Sequence, residues 1–448
     1  MKPTLRTLTL GCSKNQVDTA HLLSALQSKY DILPEEDSGR VDFLVINTCG
    51  FIADAKEESV DAIMQAVDLK SKGEIGHLYV MGCLSQRYMD QLPGLIPEVD
   101  KWFGARDIRP VAAALGCADS VRSSGRYIPS DGASYAYLKI SEGCDRRCSY
   151  CAIPFIRGAH RSVPMEELVK EAEALASRGV RELVLIAQDT TYYGLDLYHR
   201  RALSELLGRL SAIDGIEWIR IHYSYPQDFP EDVLTQMAEN PKVCRYMDIP
   251  LQHVSDKVLD NMHRHVDGAW TRALIRKMRE KVPGIVLRTT MIVGHPGEGT
   301  REFRELLDFV REARFERLGA FTYSEEEGTY GAEHFPDTVR ESTKRKRLSE
   351  LMTLQRDISL AYNSSRVGQK VKVLVDDVSD GTLICRSEFE SPEVDGEILA
   401  VYDSGMGIPA DRTVGHFMEV EITKAMDYDL EGRFLRWLEP VGTLEQKQ

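Results

Sequence analysis

The chain has 448 residues, 43% hydrophobic and 28% charged, the length of about three ordinary domains and the composition of a globular protein. No stretch approaches the ~18 uninterrupted apolar residues of a membrane span, and the N-terminal segment, broken by Arg6, lacks a secretion signal's apolar core; a cytoplasmic protein with no membrane partner is expected. The net charge of −14 argues against a chain built mainly to coat nucleic acid, which needs a basic surface.

Thr4–Leu10, Asp42–Asn47 and His77–Met81 read as strands, with helical spacing over Val17–Tyr30 and Lys56–Lys70 between them. Such alternation predicts a parallel sheet with helices on its faces. A Ser-, Gly- and Asp-rich linker is expected over Ala118–Ser134. Six further strands then alternate with helical patterns: Tyr137–Ile140, Glu182–Ala187, Glu217–Ile221, Tyr246–Ile249, Val286–Ile292 and Leu318–Tyr323. They predict six βα units, a barrel or part of one. Thr338–Asn363 reads as one long charged helix, and the short apolar runs after it, separated by turn residues, predict a small antiparallel barrel. The expected organisation is therefore a multidomain α/β chain: an N-terminal domain over 1–120, a central domain over 130–361 and a C-terminal barrel over 364–440.

Nine cysteines in a chain with no secretory signal favour metal or redox use over a disulfide framework. Cys144, Cys148 and Cys151 form a C-x3-C-x2-C run after the first strand of the barrel series, at the end where barrel active sites gather. Three thiolates this close can hold three irons of a cubane cluster and leave the fourth iron open to a ligand. A zinc site completed by His160, or buried structural cysteines, are the alternatives; zinc motifs more often pair C-x2-C with a second such pair. Cys12, Cys49 and Cys83 each lie within two positions of a predicted strand's end. In a parallel sheet all three would converge at the carboxyl edge, where ligands bind. Cys117, Cys244 and Cys385 show no such placement and are left structural.

The cysteine run, with Tyr150 before its last member, resembles the radical S-adenosylmethionine (SAM) superfamily. The resemblance implies a 4Fe–4S cluster on Cys144, Cys148 and Cys151, SAM on its open iron, and Tyr150 near the adenine. One electron would then cleave SAM to methionine and a 5′-deoxyadenosyl radical. Thr290–Glu298, with Ile292 and Gly294, resembles the segment that runs beside the adenine, and Gln188, between Ala187 and Asp189, sits where the superfamily contacts the methionine moiety. Gln252 and His253 are weaker candidates.

Over almost the whole chain the arrangement resembles the methylthiotransferase family, which joins a three-cysteine N-terminal domain, a radical SAM core and a C-terminal TRAM barrel. Leu10 to Asp18 reads L-G-C-S-K-N-Q-V-D, and N-T-C-G-F surrounds Cys49 and M-G-C-L surrounds Cys83. The first has the Gly-Cys-x-Lys-Asn-x-Val-Asp form of the RimO branch, which modifies ribosomal protein uS12, rather than the Gly-Cys-Gln-Met-Asn of the tRNA-modifying MiaB branch. It departs from the branch at Ala20, usually Glu, a position that should not affect ligation. The resemblance implies methylthio transfer to the β-carbon of a uS12 aspartate. A second 4Fe–4S cluster on Cys12, Cys49 and Cys83 would deliver sulfur, SAM would serve as both methyl donor and radical source, and flavodoxin or ferredoxin would be the reductant. No catalytic side chain beyond the cluster ligands is indicated.

Residues 366–440 hold 8 Lys/Arg against 16 Asp/Glu. That balance suits a basic protein partner, free uS12 or uS12 in the small subunit, better than tight binding to tRNA phosphates. Glu388, Glu390, Glu393, Asp395 and Glu397 are expected to present an acidic run to that partner. A tRNA adenosine methylthiotransferase and a non-enzymatic iron–sulfur electron carrier are the remaining alternatives.

Overall fold

A computed structural model describes residues 2–119, 133–403, 409 and 412–438; residues 120–132 of the expected linker lie outside these. The N-terminal unit is a five-stranded parallel sheet of order β2-β1-β3-β4-β5, from β1 (Thr4–Thr9), β2 (Asp31–Ile32), β3 (Val41–Thr48), β4 (Ile75–Gly82) and β5 (Lys101–Trp102). Helices α1 (Ser13–Leu26), α2 (Ala53–Ser71) and α3 (Cys83–Arg87) follow β1, β3 and β4. Alternate side chains serve opposite faces: Val45, Tyr79 and Met81 pack with Leu22 and Leu26, whereas Leu44, Ile46, Leu78 and Val80 pack with Ile63 and Ala66. Coverage on both faces is why β3 and β4 read as nearly unbroken apolar runs. Helix α1 starts earlier than its periodicity predicts because Ser13, Lys14 and Asn15, though polar, are buried.

The central unit holds β6 (Tyr135–Lys139), a two-stranded ribbon of β7 (Ser141–Glu142) and β8 (Arg161–Ser162), then β9 (Glu182–Ile186), β10 (Trp218–Ile221), β11 (Val243–Asp248), β12 (Val286–Val293) and β13 (Arg317–Thr322). Its six parallel strands run β13-β12-β11-β10-β9-β6 and do not close. Leu138, Leu183, Leu185, Ile219, Met247 and Leu287 face outward onto Leu168, Leu206, Val233, Leu274 and Leu306 of the surrounding helices. Each such side chain, fully buried, contributes about 1.5–3 kcal/mol, so the helical layer is fixed to the sheet by this face. The alternate residues line the lumen. The N-terminal unit touches both free edges: Val17 of α1 packs with Tyr137 of β6, and Lys56 Nζ and Arg87 Nη1 reach Glu326, beyond β13, at 2.8 and 2.7 Å.

The long helix Glu341–Ser365 leads to a closed barrel of β14 (Lys370–Ser379), β15 (Thr382–Arg386), β16 (Ile398–Val401), β17 (Phe417–Ala425) and β18 (Leu430–Trp437), in the order β14-β15-β16-β18-β17. It is antiparallel except at β16–β18, which pair in parallel and close it. No helix among the described residues is long and apolar enough to cross a membrane.

The acidic run of this barrel is not the free surface expected. The loop after β15 enters the central lumen from the amino ends of the strands, where its acids meet partners inside the chain. Glu388 pairs with Arg245 at 2.9 Å, Asp395 accepts from Tyr246 at 2.6 Å, and Glu393 accepts from Tyr135 at 2.7 Å and Gln16 at 3.2 Å. Glu390 is 1% exposed and binds Arg317 at 3.0 Å, Arg366 and Ser387. Glu182, at the start of β9, joins Arg220 and Arg386 at 2.7 and 2.8 Å, and Ser391 meets His222 at 2.7 Å. Trp218 and Tyr246 complete the seal against Leu374 and Phe417. The run fastens one domain into another; of its five acids only Glu393 and Glu397 are exposed.

Burial disfavours the charge of Glu390, but Arg366 and Arg317 outweigh it and hold the carboxyl at about 2, below its ordinary 4.5. A depressed folded pKa stabilises fully above the unfolded value and loses that stabilisation as pH falls through the folded one. Glu390→Gln should therefore cost about 3–5 kcal/mol at neutral pH, the usual price of stranding a buried cation. In denaturant titrations the gap to wild type should narrow from pH 4.5 towards 2; a constant gap would contradict the pairing.

Candidate functional site

Strands β1, β3 and β4 are neighbours in the sheet, and Cys12, Cys49 and Cys83 follow their carboxyl ends. The backbone forces the approach. Gly11 has φ +91°, and a Cβ there would stand 2.7 Å from Cys49 Cβ and 3.0 Å from its Sγ; Gly82, at φ +106°, would strike Thr48 N at 2.5 Å. Only glycine fits either position. Asn15 ties the strand ends together, its Nδ2 donating to Leu10 O at 2.8 Å and Thr48 O at 3.1 Å. Burial pushes the thiol of Cys49 up, and that of Cys83 up to about 11, against the opposing pull of Arg157.

The second set lies at the carboxyl end of the central strands. Cys144 N donates to Gly158 O at 3.0 Å and Cys151 N to Cys148 O at 3.1 Å, so the loop is shaped by its own backbone. Burial raises the thiol of Cys144 to about 12 and that of Cys151 well above its ordinary value. Arg264 Nη1 donates to Cys148 Sγ and to Tyr150 OH, both at 3.4 Å. The Tyr225 ring lies 4.2 Å from the guanidinium of Arg264 and 4.1 Å from that of Arg146, and its hydroxyl is 3.6 Å from Cys148 Sγ. Arg146 also donates to Asp189 and Gln227, both at 2.9 Å.

The two sets adjoin. Cys83 packs in one cluster with Ala105, Ala152 and Ile156, and Ala152 directly follows Cys151. Arg157, ending the short helix Ile153–Arg157, reaches Cys83 Sγ at 3.3 Å. Lys139, Asp18 and Glu142 complete a buried ion cluster around it. The L-G-C-S-K-N-Q-V-D motif is thereby explained as an interface: Lys14 Nζ sits 3.0 Å over the Tyr223 ring, Asn15 clamps the strands, Val17 packs on Tyr137, and Asp18 binds Arg157 at 2.8 Å.

Among the other candidates, Gln188 donates to Glu142 at 3.0 Å while its Oε1, like Gln252 Oε1 and Arg146 Nη2, is buried without a protein partner. Such groups cost about 1–3 kcal/mol each when left unsatisfied. Three of them on loops beyond β6, β9 and β11 make a site suited to a polar ligand such as SAM. Ile292 lies on the lumen face of β12, opposite Met291 and Val293, and its N–H donates to Gln252 O at 2.8 Å. A Cβ on Gly294, at φ +78°, would stand 2.4 Å from Cγ of Lys344 on the long helix. His253 Nδ1 accepts from Ser255 N at 3.0 Å.

His160 Nε2 lies 3.1 Å from Ser162 Oγ and its ring rests against Tyr192. Among the described residues no three His, Cys, Asp or Glu side chains converge tightly enough to hold one metal ion. Three thiols per set are the donor chemistry of an iron–sulfur group, whose thiolates bind different irons and stand farther apart than the ligands of a single ion. Cys117, Cys244 and Cys385 are buried, each in an apolar cluster. Sequence reading missed Glu142, Arg157, Tyr225 and Arg264. Single polar residues in short or irregular segments carry no periodic signal; only Arg157, the lone charge in A-I-P-F-I-R-G after Cys151, could have been flagged.

Comparisons with known proteins follow the same divisions. Residues 4–104 match Uncharacterized protein family UPF0004, 138–310 the Radical SAM superfamily and 367–435 the TRAM domain. A Porphyromonas gingivalis protein named Ribosomal protein uS12 methylthiotransferase RimO is 49% identical, the match covering 96% of this chain and 98% of the relative. Its namesake from Bacteroides fragilis is 47% identical over 97% of this chain and all of its own. In solved structures, the radical S-adenosylmethionine methyltransferase TsrM from Kitasatospora setae, with cobalamin and a 4Fe–4S cluster bound, aligns at TM-score 0.53 and 12% identity. That alignment covers 91% of this chain and 89% of TsrM, a likeness of fold.

Proposed function

The chain belongs to the RimO family of uS12 methylthiotransferases, and we propose that it replaces a hydrogen on the β-carbon of one uS12 aspartate with a methylthio group. The observation that carries this reading is the adjacency of two three-cysteine sets across one domain interface, joined through Ala152, Ile156 and Arg157. A reaction that must both cleave a C–H bond and supply sulfur needs two such sites within reach of one substrate atom.

Radical SAM enzymes use SAM and a 4Fe–4S cluster, which together supply the homolytic cleavage needed to take hydrogen from an unactivated carbon. In this chain Cys144, Cys148 and Cys151 would hold that cluster, and Cys12, Cys49 and Cys83 would hold the second. Tyr150, Gln188 and Ile292 line the SAM side. Gly294 permits, at φ +78°, the turn that ends β12 there. Arg264 and Arg146, stacked about Tyr225, keep positive charge beside the cysteine run. The reductant is a one-electron donor of the flavodoxin or ferredoxin type.

Substrate choice can be read in one competition. Reduced protein with SAM and sulfide, offered equal amounts of uS12 and tRNA, should leave methylthio groups on a uS12 peptide and none on tRNA nucleosides. Modified adenosine with unmodified uS12 would overturn the assignment.

A further inference from the structure

Arg157 belongs to the central domain, yet its guanidinium is spent on the N-terminal one. It is 4% exposed. Nη1 donates to Asp18 Oδ2 at 2.8 Å, Glu142 Oε2 at 3.1 Å and Ala105 O at 3.2 Å, and Nη2 to Asn15 Oδ1 at 2.5 Å. These oxygens suffice to place and neutralise the cation. Nε nevertheless points at Cys83 Sγ, 3.3 Å away. A neutral thiol is a weak acceptor. A metal-bound thiolate is a strong one, and an N–H donor from a cation strengthens the bond further. Hydrogen bonds to ligand sulfurs and nearby charge are two of the levers a protein has on an iron–sulfur potential.

We propose that Arg157 is a positioning residue of the N-terminal site, which holds Cys83 by an Nε–H···Sγ bond and sets the reduction potential of the cluster bound there. The proposal rests on the assignment of Cys12, Cys49 and Cys83 as cluster ligands. Reduction adds negative charge beside a fixed cation, so Arg157 makes the cluster easier to reduce. Glu142 extends the contact, since it binds Arg157 through Oε2 and Gln188 through Oε1. The N-terminal cluster is thus linked, by one guanidinium and one carboxylate, to a side chain of the SAM site.

The test isolates this cluster by replacing Cys144, Cys148 and Cys151 with Ala, then adds Arg157→Gln or Arg157→Lys. Iron content, and the midpoint potential from titration followed by paramagnetic resonance, are read for all three proteins. The parent should bind about four irons. Arg157→Gln should shift the potential to more negative values, and Arg157→Lys, which keeps the charge but not the Nε donor, should fall between. If Arg157→Gln fails to hold iron, Arg157→Lys decides: a potential more negative than the parent's supports the proposal, and one equal to it overturns it. A parent without iron would refute the ligand assignment, and the proposal with it. Iron in all three at one potential would refute the role of Arg157 alone.

Discussion

Replacing Cys144, Cys148 and Cys151 together with Ala should remove about half of the iron from reconstituted protein, from about eight per chain to about four, and abolish SAM cleavage. The loop that carries these residues should survive the change. Its shape comes from backbone bonds, Cys144 to Gly158 O and Ser149 to Met262 O among them, and from Ser149 Oγ donating to Asn261 O at 2.5 Å. Loss of function would then reflect lost ligands, with Arg264 and Tyr225 still in place but without a thiolate to face. The checks are iron content, the charge-transfer absorbance, and release of methionine and 5′-deoxyadenosine under reduction. Stoichiometric zinc in the wild type, without that absorbance, would contradict the assignment.

Replacing Cys12, Cys49 and Cys83 with Ala should have the opposite selectivity: 5′-deoxyadenosine still forms while methylthio product disappears entirely. The reason is the division of the contacts. Arg264 and Tyr225, which meet Cys148, and Arg146, which stacks on Tyr225 and binds Asp189 and Gln227, all belong to the central domain. The only charged bridge from the N-terminal set is Arg157, among the described residues that touch these thiols, and its bonds to Asp18 and Asn15 do not need Cys83. Product analysis by liquid chromatography separates the two outcomes. If SAM cleavage also vanished in a folded variant that retained the barrel cluster, the two sites would not have separate roles.

The architecture was readable where one rule covers many residues. A cysteine just past an apolar run reaches the carboxyl edge of a parallel sheet whatever the details, so Cys12, Cys49 and Cys83 could be brought together from strands alone. The acidic run could not be read. Glu390 and Asp395 look the same in sequence whether solvated or buried, because the groups that decide, Arg317 and Tyr246, lie far back in the chain on other strands. The surroundings of Gly294 were hidden for a related reason: a strand followed by Gly, Pro and Gly fits a turn, and nothing local tells that Lys344 fills the space beside it. Interface residues such as Arg157 acquire their meaning only when two domains are docked.

The proposed function requires the two cysteine sets to form one centre across the interface at Cys83, Ala152 and Arg157. Paramagnetic resonance of the fully reduced protein tests it most directly. Two reduced clusters side by side should couple, so the wild-type spectrum should be broadened and faster-relaxing than the sum of spectra from the two triple-alanine variants. A wild-type spectrum equal to that sum would place the clusters too far apart to serve one substrate and would contradict the account.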